Sequence, residues 1–223
     1  MGVAAIWQNA PAISLEAGCY DGLTTIAELK RHGDFGIGAF DQLNGELVAL
    51  DGSFYRLTAD SKAHPASDSD TVAFGMVTAF PDVDRLELPA GTGKDALTRF
   101  LDERLPSRNF FYAIRVEGVF DELATRSLPR QSKPFPPMAE VTKTQPTFAY
   151  ERAEGAMAGF RAPDYTGHIA PPGDHLHFVS ADRTFGGHVL SFAGAEATVS
   201  FAAIERQEIA YPLDGELAAA GLT

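Results

Sequence analysis

The chain has 223 residues, 45% of them apolar and 22% charged, which is the composition of a soluble globular protein with a substantial core. Its formal net charge of −12 makes nucleic acid and anionic membrane surfaces unfavourable partners. A single cysteine, Cys19, excludes an intramolecular disulfide and a thiolate-based metal site. We expect a cytoplasmic protein without membrane contact, because there is no signal-peptide pattern and no run near the ~18 apolar residues of a membrane span.

The first predicted element is a short helix. Residues 25–28 (Thr-Ile-Ala-Glu) form a capping-box pattern, and Gly33 follows a basic last turn, which is typical of a helix end. His32 is therefore interpreted as a helix-end residue and not as a metal ligand. A strand is predicted next, over residues 35–40.

The clearest hairpin of the sequence follows. Asp51-Gly52 suits a two-residue type I′ turn between strands over residues 46–50 and 53–57. Glu46 shares a strand face with two apolar side chains, because side chains alternate between faces. A carboxylate in that position lies either at the wet end of the strand or in a cavity, and periodicity favours neither.

The middle of the chain alternates long strands with one helix. Residues 71–80 predict a strand, and a second capping box at Thr92 predicts a helix that ends before Pro106. Residues 110–120 predict another strand, to which residues 122–128 could return antiparallel. On that return strand Arg126 alternates with apolar residues, and a solvated edge charge is the simpler interpretation when the strand is taken alone.

The proline-rich segment 129–137 cannot be a central strand or a helix interior, and is the best candidate for a domain junction. We therefore expect an N-terminal mixed-sheet domain over residues 1–135 and a C-terminal metal-binding domain over residues 136–223. Residues 148–160 predict a short amphipathic helix. His168 lies in the loop that follows, and we do not expect it to reach a metal.

Three of the six histidines lie within residues 175–188. On a strand His175 and His177 point to the same face, and a hairpin turn before Gly186-Gly187 would bring His188 beside His177. A single histidine on a strand is usually a hydrogen-bonded core or surface residue, but three on one hairpin favour metal binding. Three neutral imidazoles with no fourth ligand nearby indicate a catalytic zinc site with an open position.

Together these elements predict an α+β fold with mixed or antiparallel sheets and the zinc site on a C-terminal β-hairpin. A doubly wound fold is not expected, because strands dominate and helices are few. The sequence contains no dinucleotide-binding or Walker pattern, so nucleotide binding has no support.

The sequence also resembles the acetolactate decarboxylase family. The histidine hairpin is similar to the family's zinc-binding signature, and other blocks resemble the family in order between residues 17 and 192. These blocks are residues 20–38, 44–55, 111–118 and 125–137. The resemblance implies a two-domain α/β fold with mixed sheets, usually dimeric. It also implies decarboxylation of 2-acetolactate, a small anionic 2-hydroxy-3-keto acid, to acetoin and CO2 through a metal-chelated enediolate.

The resemblance implies roles for five residues. His175, His177 and His188 match the family's Zn²⁺ ligands. Glu46 and Arg126 match its active-site carboxylate and guanidinium. The resemblance therefore implies that both charged side chains lie in a cavity and not in solvent. Since these side chains come from distant segments, the site would form where the histidine hairpin meets the first half of the chain.

Two departures from the family pattern bear on activity. Ala39 stands where the family commonly has threonine, which removes a hydroxyl near the site. The family also has a second glutamate near its C-terminus, and Glu205, Glu208 and Glu216 do not match that position. Losing it would affect proton delivery and turnover, and would leave the metal site intact.

Three other functions compete with this hypothesis. One is a zinc hydratase of the carbonic-anhydrase type, which would use the histidines to generate hydroxide. Another is a cupin-like iron oxygenase, with Asp182 loosely at the spacing of its carboxylate ligand. The third is a non-catalytic family member that binds metal without turnover, which Ala39 and the missing glutamate would favour.

Overall fold

β-Strands contain many more residues than helices, and the structure, a computed structural model, describes residues 2–222. The strands are β1 (Gly2–Asn9), β2 (Thr24–Thr25), β3 (Phe35–Phe40), β4 (Glu46–Leu50), β5 (Ser53–Leu57), β6 (Ala63–Pro65), β7 (Thr71–Thr78), β8 (Leu86–Glu87), β9 (Phe111–Arg126), β10 (Thr147–Ala162), β11 (Gly173–Ser180) and β12 (Gly186–Ala210). The helices are α1 (Ala12–Glu16), α2 (Ile26–His32), α3 (Lys94–Asp102), α4 (Met138–Val141) and α5 (Glu216–Ala219). Within residues 2–222, no helix has the length and apolar character needed to cross a bilayer.

All strands join one mixed sheet, which confirms the α+β class. Its main path runs β11-β10-β9-β12-β1-β7-β3-β4-β5-β6, with β2 on β7 and β8 on β12. The β1–β12 pair is parallel, and the other pairs are antiparallel. Because β11 also pairs with β12, the strands β9 to β12 close into a ring that holds the histidine hairpin.

The sheet continues across residue 135, where we expect a domain boundary. β12 pairs with β9 over residues 188–204 and with β1 over residues 202–210, and both of these partners lie in the N-terminal part. The two-domain division stays a prediction. The continuous sheet means that the histidine hairpin is hydrogen-bonded directly to strands from the first half.

The N-terminal elements confirm the sequence predictions. Thr25 caps α2, its Oγ1 accepting a hydrogen bond from the Glu28 amide at 3.2 Å, and Gly33 ends the helix. His32 lies at that helix end, with Nε2 2.9 Å from a Glu28 carboxylate oxygen. In the β4–β5 hairpin, Asp51 and Gly52 have φ values of 51° and 75°, as a type I′ turn requires.

Two predictions in the second half are wrong. Residues 148–160 are not a helix but part of β10, which pairs with β9 on one side and β11 on the other. These hydrogen bonds override the helix propensity of the segment's alanines and glutamates. Residues 122–128 do not return on the preceding strand, because β9 continues straight to Arg126 as a single strand of 16 residues.

The start of α3 also differs from the prediction. The N-cap is Gly93 and not Thr92. The Thr92 hydroxyl instead donates to the Pro89 carbonyl at 2.5 Å, in the turn before the helix.

Strand β11 separates two apolar clusters. Leu176 and Phe178 pack with Leu97 of α3, whereas Val179 packs with Val48 of β4. The histidines of β11 alternate with Leu176 and Phe178, so they share the face of Val179 and point towards β4.

Candidate active site

The histidine hairpin has the predicted register. His177 on β11 lies directly opposite His188 on β12, and His188 lies opposite Arg126 on β9. Gly187 permits this close pairing, because a Cβ on it would lie 2.7 Å from the Arg126 carbonyl oxygen. Three adjacent strands therefore present two histidines and an arginine in one row.

The three imidazoles converge on one point. Ring nitrogens Nε2 of His175 and His177 are 3.2 Å apart, and one ligand atom from each of His175, His177 and His188 lies within 4.8 Å of the others. His177 is fully buried, and its Nδ1 lies 2.7 Å from the Leu47 carbonyl oxygen. Nδ1 therefore donates to that carbonyl, and the Nε2 lone pair faces the other histidines. We call these three histidines the triad.

Burial keeps the triad uncharged. It lowers the pKa of His177 to about 4, against the opposing effect of the Leu47 hydrogen bond. Burial, and then the neighbouring histidines and Arg126, lower the pKa values of His175 and His188 well below the usual value. Neutral imidazole is the form that ligates a metal ion.

Glu46 is buried beside the triad. It lies at the start of β4, one residue before the carbonyl that orients His177, and its Oε2 is 3.8 Å from His177 Nε2. Burial raises the pKa of Glu46 to about 8, although the charge of Arg126 opposes the rise. At neutral pH both partners are uncharged in the metal-free protein, so this contact is not an ion pair. Glu46 is therefore buried and does not lie at a solvent-exposed end of the strand.

Arg126 is partly buried on the same side of the sheet. Its Nε is buried and makes no hydrogen bond to any group within residues 2–222. The sequence alone favoured a solvated charge at a sheet edge for Arg126. That interpretation is wrong, because Nε is buried and β9 is paired on both sides at Arg126. The charge of Arg126 lowers the pKa values of all three histidines and of Glu46, so its guanidinium lies near the triad.

The other sequence candidates lie elsewhere. Asp182 is exposed and accepts hydrogen bonds from Ser180 Oγ and Thr184 Oγ1 within the hairpin turn, so the expected cupin-type carboxylate ligand is absent from the triad. His168 is exposed in its loop, as expected. Glu216 is bound to the Tyr20 amide at 3.2 Å and lies 3.5 Å from Lys133 Nζ.

Ala39 lies opposite Glu46 in the β3–β4 pair and is buried. Side chains of directly opposed residues share a face, so a hydroxyl at position 39 would lie beside the Glu46 carboxyl group. The structure thus places this departure from the family pattern within the site.

Sequence reasoning missed a polar group behind the triad. Arg161 of β10 forms a bidentate ion pair with Asp174 of β11, at 2.6 and 2.7 Å. Lys94 of α3 donates to the carbonyl oxygens of Val189 and Leu190, immediately after His188. Asp174 is adjacent to His175 in the sequence, and a carboxylate there could have indicated a polar group near the triad. Because residues 148–160 were predicted to be helical, the pairing of Arg161 with Asp174 across two strands was not predicted.

Residues 6–223 match the family of Alpha-acetolactate decarboxylase. The chain belongs to this family. The resemblance read from the sequence is confirmed, and with it the prediction that the chain is an enzyme of the acetolactate decarboxylase class.

Named relatives cover nearly the whole chain. The alpha-acetolactate decarboxylase of Methylococcus capsulatus is 40% identical over 96% of this chain and 84% of its own length. That of Bacillus subtilis is 41% identical over 89% of this chain and 78% of its own.

Solved structures show the same fold. The crystal structure of the Bacillus subtilis strain 168 enzyme matches with a TM-score of 0.95 and 37% identity, covering 98% of this chain and 93% of that one. A Staphylococcus aureus protein of unknown function, similar to alpha-acetolactate decarboxylase, matches with a TM-score of 0.93 and 26% identity. It covers 100% of this chain and 95% of that one.

Proposed function

We propose that this protein is a zinc-dependent enzyme that converts 2-acetolactate to acetoin and CO2. His175, His177 and His188 are the zinc ligands, and Glu46 and Arg126 are the catalytic residues. The observation that carries the proposal is the convergence of three neutral imidazoles beside a buried carboxyl group and a buried guanidinium donor. Membership of the acetolactate decarboxylase family supports the choice of substrate.

The donor set fits zinc. The 3.2 Å between Nε2 of His175 and His177 is close to the edge of a tetrahedron, which is about 3.3 Å for Zn–N bonds of about 2.0–2.1 Å. Three imidazoles with no thiolate leave positions open for a substrate, as in catalytic zinc sites. The Leu47 carbonyl fixes the ring of His177, as outer hydrogen bonds commonly do for zinc-bound histidines.

When bound, zinc supplies a Lewis acid for the charge that develops on the substrate's ketone oxygen as CO2 leaves. The chain's own side chains do the rest. Arg126 pairs with the substrate carboxylate or with the adjacent oxygens, since its planar fork suits both. Glu46, 3.8 Å from His177 Nε2, exchanges a proton with the substrate hydroxyl or with the carbon from which CO2 has left.

The substrate is a small anion, and the net charge of −12 repels it in general. Local cations must therefore attract it to the site. Arg126 and Lys94 both lower the pKa values of His175 and His188, which shows that their positive charges act at the triad. These charges, with zinc, favour an acid substrate over a neutral ketone.

We further propose that the protein acts in the cytoplasm as a homodimer, as the resemblance implies. Sedimentation velocity of the purified chain tests the dimer, and a single monomeric boundary at micromolar concentration would contradict it.

The decisive experiment measures metal content and acetoin formation from racemic acetolactate on the same protein sample. We expect wild type to hold one zinc per chain and to form acetoin, and His177→Ala to lose both. Acetoin formation by zinc-free His177→Ala protein would overturn the mechanism. Bound zinc with no product from wild type would instead favour a non-catalytic metal-binding protein, and CO2 hydration without acetoin would favour a hydratase.

A further inference from the structure

The histidines of β11 are held in different ways. The ring of His177 is fixed by a hydrogen bond from Nδ1 to the Leu47 carbonyl. Nδ1 of His175 is buried and has no hydrogen-bond partner within residues 2–222. The position of the His175 ring therefore depends on where its backbone lies.

The residue before His175 is fixed from the opposite face of β11. Asp174 is 4% exposed and points away from the triad, towards α3, because side chains alternate along the strand. Its Oδ2 accepts a hydrogen bond from Thr98 Oγ1 of α3 at 2.7 Å. Both its oxygens accept from Arg161, which lies directly opposite on β10.

Arg161 connects three elements through one guanidinium. Besides its two bonds to Asp174, it donates to Asp102 Oδ1 at 2.8 Å and to the Thr98 carbonyl at 3.3 Å, both on α3. Its side chain is 7% exposed, so these bonds are shielded from water. The helix, β10 and β11 are thus joined at the residue next to a triad histidine.

A buried ion pair is weak as a source of stability, because desolvation of both charges offsets their attraction. Its better-attested use is to select one arrangement of the groups around it. The Arg161–Asp174 pair lies next to His175. Of the two triad histidines on β11, His177 is bonded to a carbonyl and His175 is not, within residues 2–222.

We propose that Arg161 is a positioning residue for the metal site, acting through Asp174 on the backbone of His175. It holds β11 against α3 and so sets the His175 ring at the distance from His177 that a metal ion requires. The inference rests on the proposed metal-binding function of the triad. The inference adds Arg161 to the residues that metal binding requires, although Arg161 contacts neither the metal nor the substrate.

The test compares Arg161→Lys with Arg115→Lys in the full-length protein. Lysine keeps the charge but cannot reproduce the planar fork. Arg115 is a matched control, because it also forms a bidentate pair, with Asp51 at 2.6 and 2.9 Å, and bonds Glu117. Within residues 2–222, its side chain makes no hydrogen bond to a neighbour of a triad histidine. For each protein we would measure cobalt(II) affinity by competition, the visible spectrum of the cobalt form, and thermal unfolding without metal.

We expect Arg161→Lys to bind cobalt about tenfold to a hundredfold more weakly, the usual effect of losing an outer partner of a metal ligand. Its cobalt spectrum should also change, whereas Arg115→Lys should match wild type in both. Wild-type affinity and spectrum in Arg161→Lys would overturn the proposal, whatever happens to thermal unfolding. If wild type itself bound no cobalt, the metal function would fail instead, so the two failures are distinguishable.

A second variant decides the matter if Arg161→Lys does not fold. Asp174→Asn keeps the side-chain shape and removes the carboxylate charge that pairs with Arg161 at both oxygens. We expect a weaker cobalt complex with an altered spectrum. Unchanged binding and spectrum in Asp174→Asn would then overturn the proposal.

Discussion

In the proposed mechanism, Glu46 is the side chain that exchanges a proton with the substrate. It is 5% exposed and its carboxyl group lies 3.8 Å from a triad nitrogen, within reach of a substrate held there. Glu46→Gln keeps the size and hydrogen-bonding capacity of the group but cannot exchange a proton. We expect kcat to fall by about 10²–10⁴-fold, the usual contribution of general acid–base catalysis.

Steady-state kinetics of acetoin formation checks this prediction, with zinc content measured on the same sample. Because glutamine still fills the space beside His177, zinc content should stay at the wild-type value. A Glu46→Gln enzyme with unchanged kcat would remove Glu46 from the reaction.

Substitution of Arg126 tests whether the site needs the planar geometry of the guanidinium or only its positive charge. Arg126→Lys keeps a positive charge but replaces the planar fork by a point charge with a different reach. Because the buried Nε would lose its role as a directed donor, we expect kcat/KM to fall by about 10²-fold or more, as for loss of one preorganised donor.

Arg115→Lys is the control for this variant too, since Arg115 lies on the same strand, β9, and pairs with Asp51. It should retain wild-type kinetics. If Arg126→Lys matched wild type in kcat/KM, Arg126 would lie outside the catalytic machinery.

At the scale of elements, the sequence predicts those parts of the site that follow from local rules. The alternation of a strand places His175 and His177 on one face, and the Gly186-Gly187 pair marks the hairpin that adds His188. The sequence also indicates Glu46 as a site candidate, because a charged residue is unusual on an otherwise apolar strand face. These signals depend on near neighbours in the chain.

The parts that the sequence did not predict depend on distant partners. Residues 148–160 are rich in helix formers, yet β10 is a strand because both its edges are occupied by β9 and β11. The same long-range pairing creates the Arg161–Asp174 contact, between residues 13 positions apart. No local pattern distinguishes such a strand from an amphipathic helix.

Gly159 of β10 shows how tightly these strands approach at the site. It lies beside His175, and a Cβ on Gly159 would overlap the His175 carbonyl oxygen. Gly159→Ala should therefore push β10 and β11 apart at the triad. We expect a loss of unfolding free energy of about 1–3 kcal/mol, as for other overpacked sites, together with weaker zinc binding.

Gly167→Ala is the matched control for chemical denaturation and zinc titration. Its added Cβ would meet only Pro172 Cγ at 3.8 Å, an ordinary contact, so stability and zinc affinity should stay at wild-type values. Equal behaviour of the two alanine variants would mean that the strand spacing at His175 is not constrained.

At the scale of the whole molecule, the continuous sheet predicts that the triad unfolds together with the rest of the chain. The triad lies on β11 and β12, and β12 also pairs with β9 and β1. Unfolding that separates these strands must also separate the three histidines of the triad. Zinc should therefore stabilise the entire chain and not a local loop, because it binds the folded state and not the unfolded one.

The size of this effect can be predicted. Free zinc at 100 times Kd adds about 2.7 kcal/mol to the stability of the folded state. For a domain of about 150–250 residues, each kcal/mol raises Tm by about 2–4 °C, so zinc should raise Tm by about 5–10 °C in one cooperative transition. Removal of zinc by a chelator should reverse the rise.

Differential scanning calorimetry with and without zinc checks this prediction, with His177→Ala as the control. The variant loses the fully buried histidine of the triad, whose ring centroid lies 5.0 and 5.3 Å from those of the other two. Its Tm should not respond to zinc. A zinc-dependent rise of the same size in His177→Ala would place the stabilising ion elsewhere. Two separate transitions in wild type, of which only one responds to zinc, would show that the C-terminal part unfolds as its own domain despite the shared sheet.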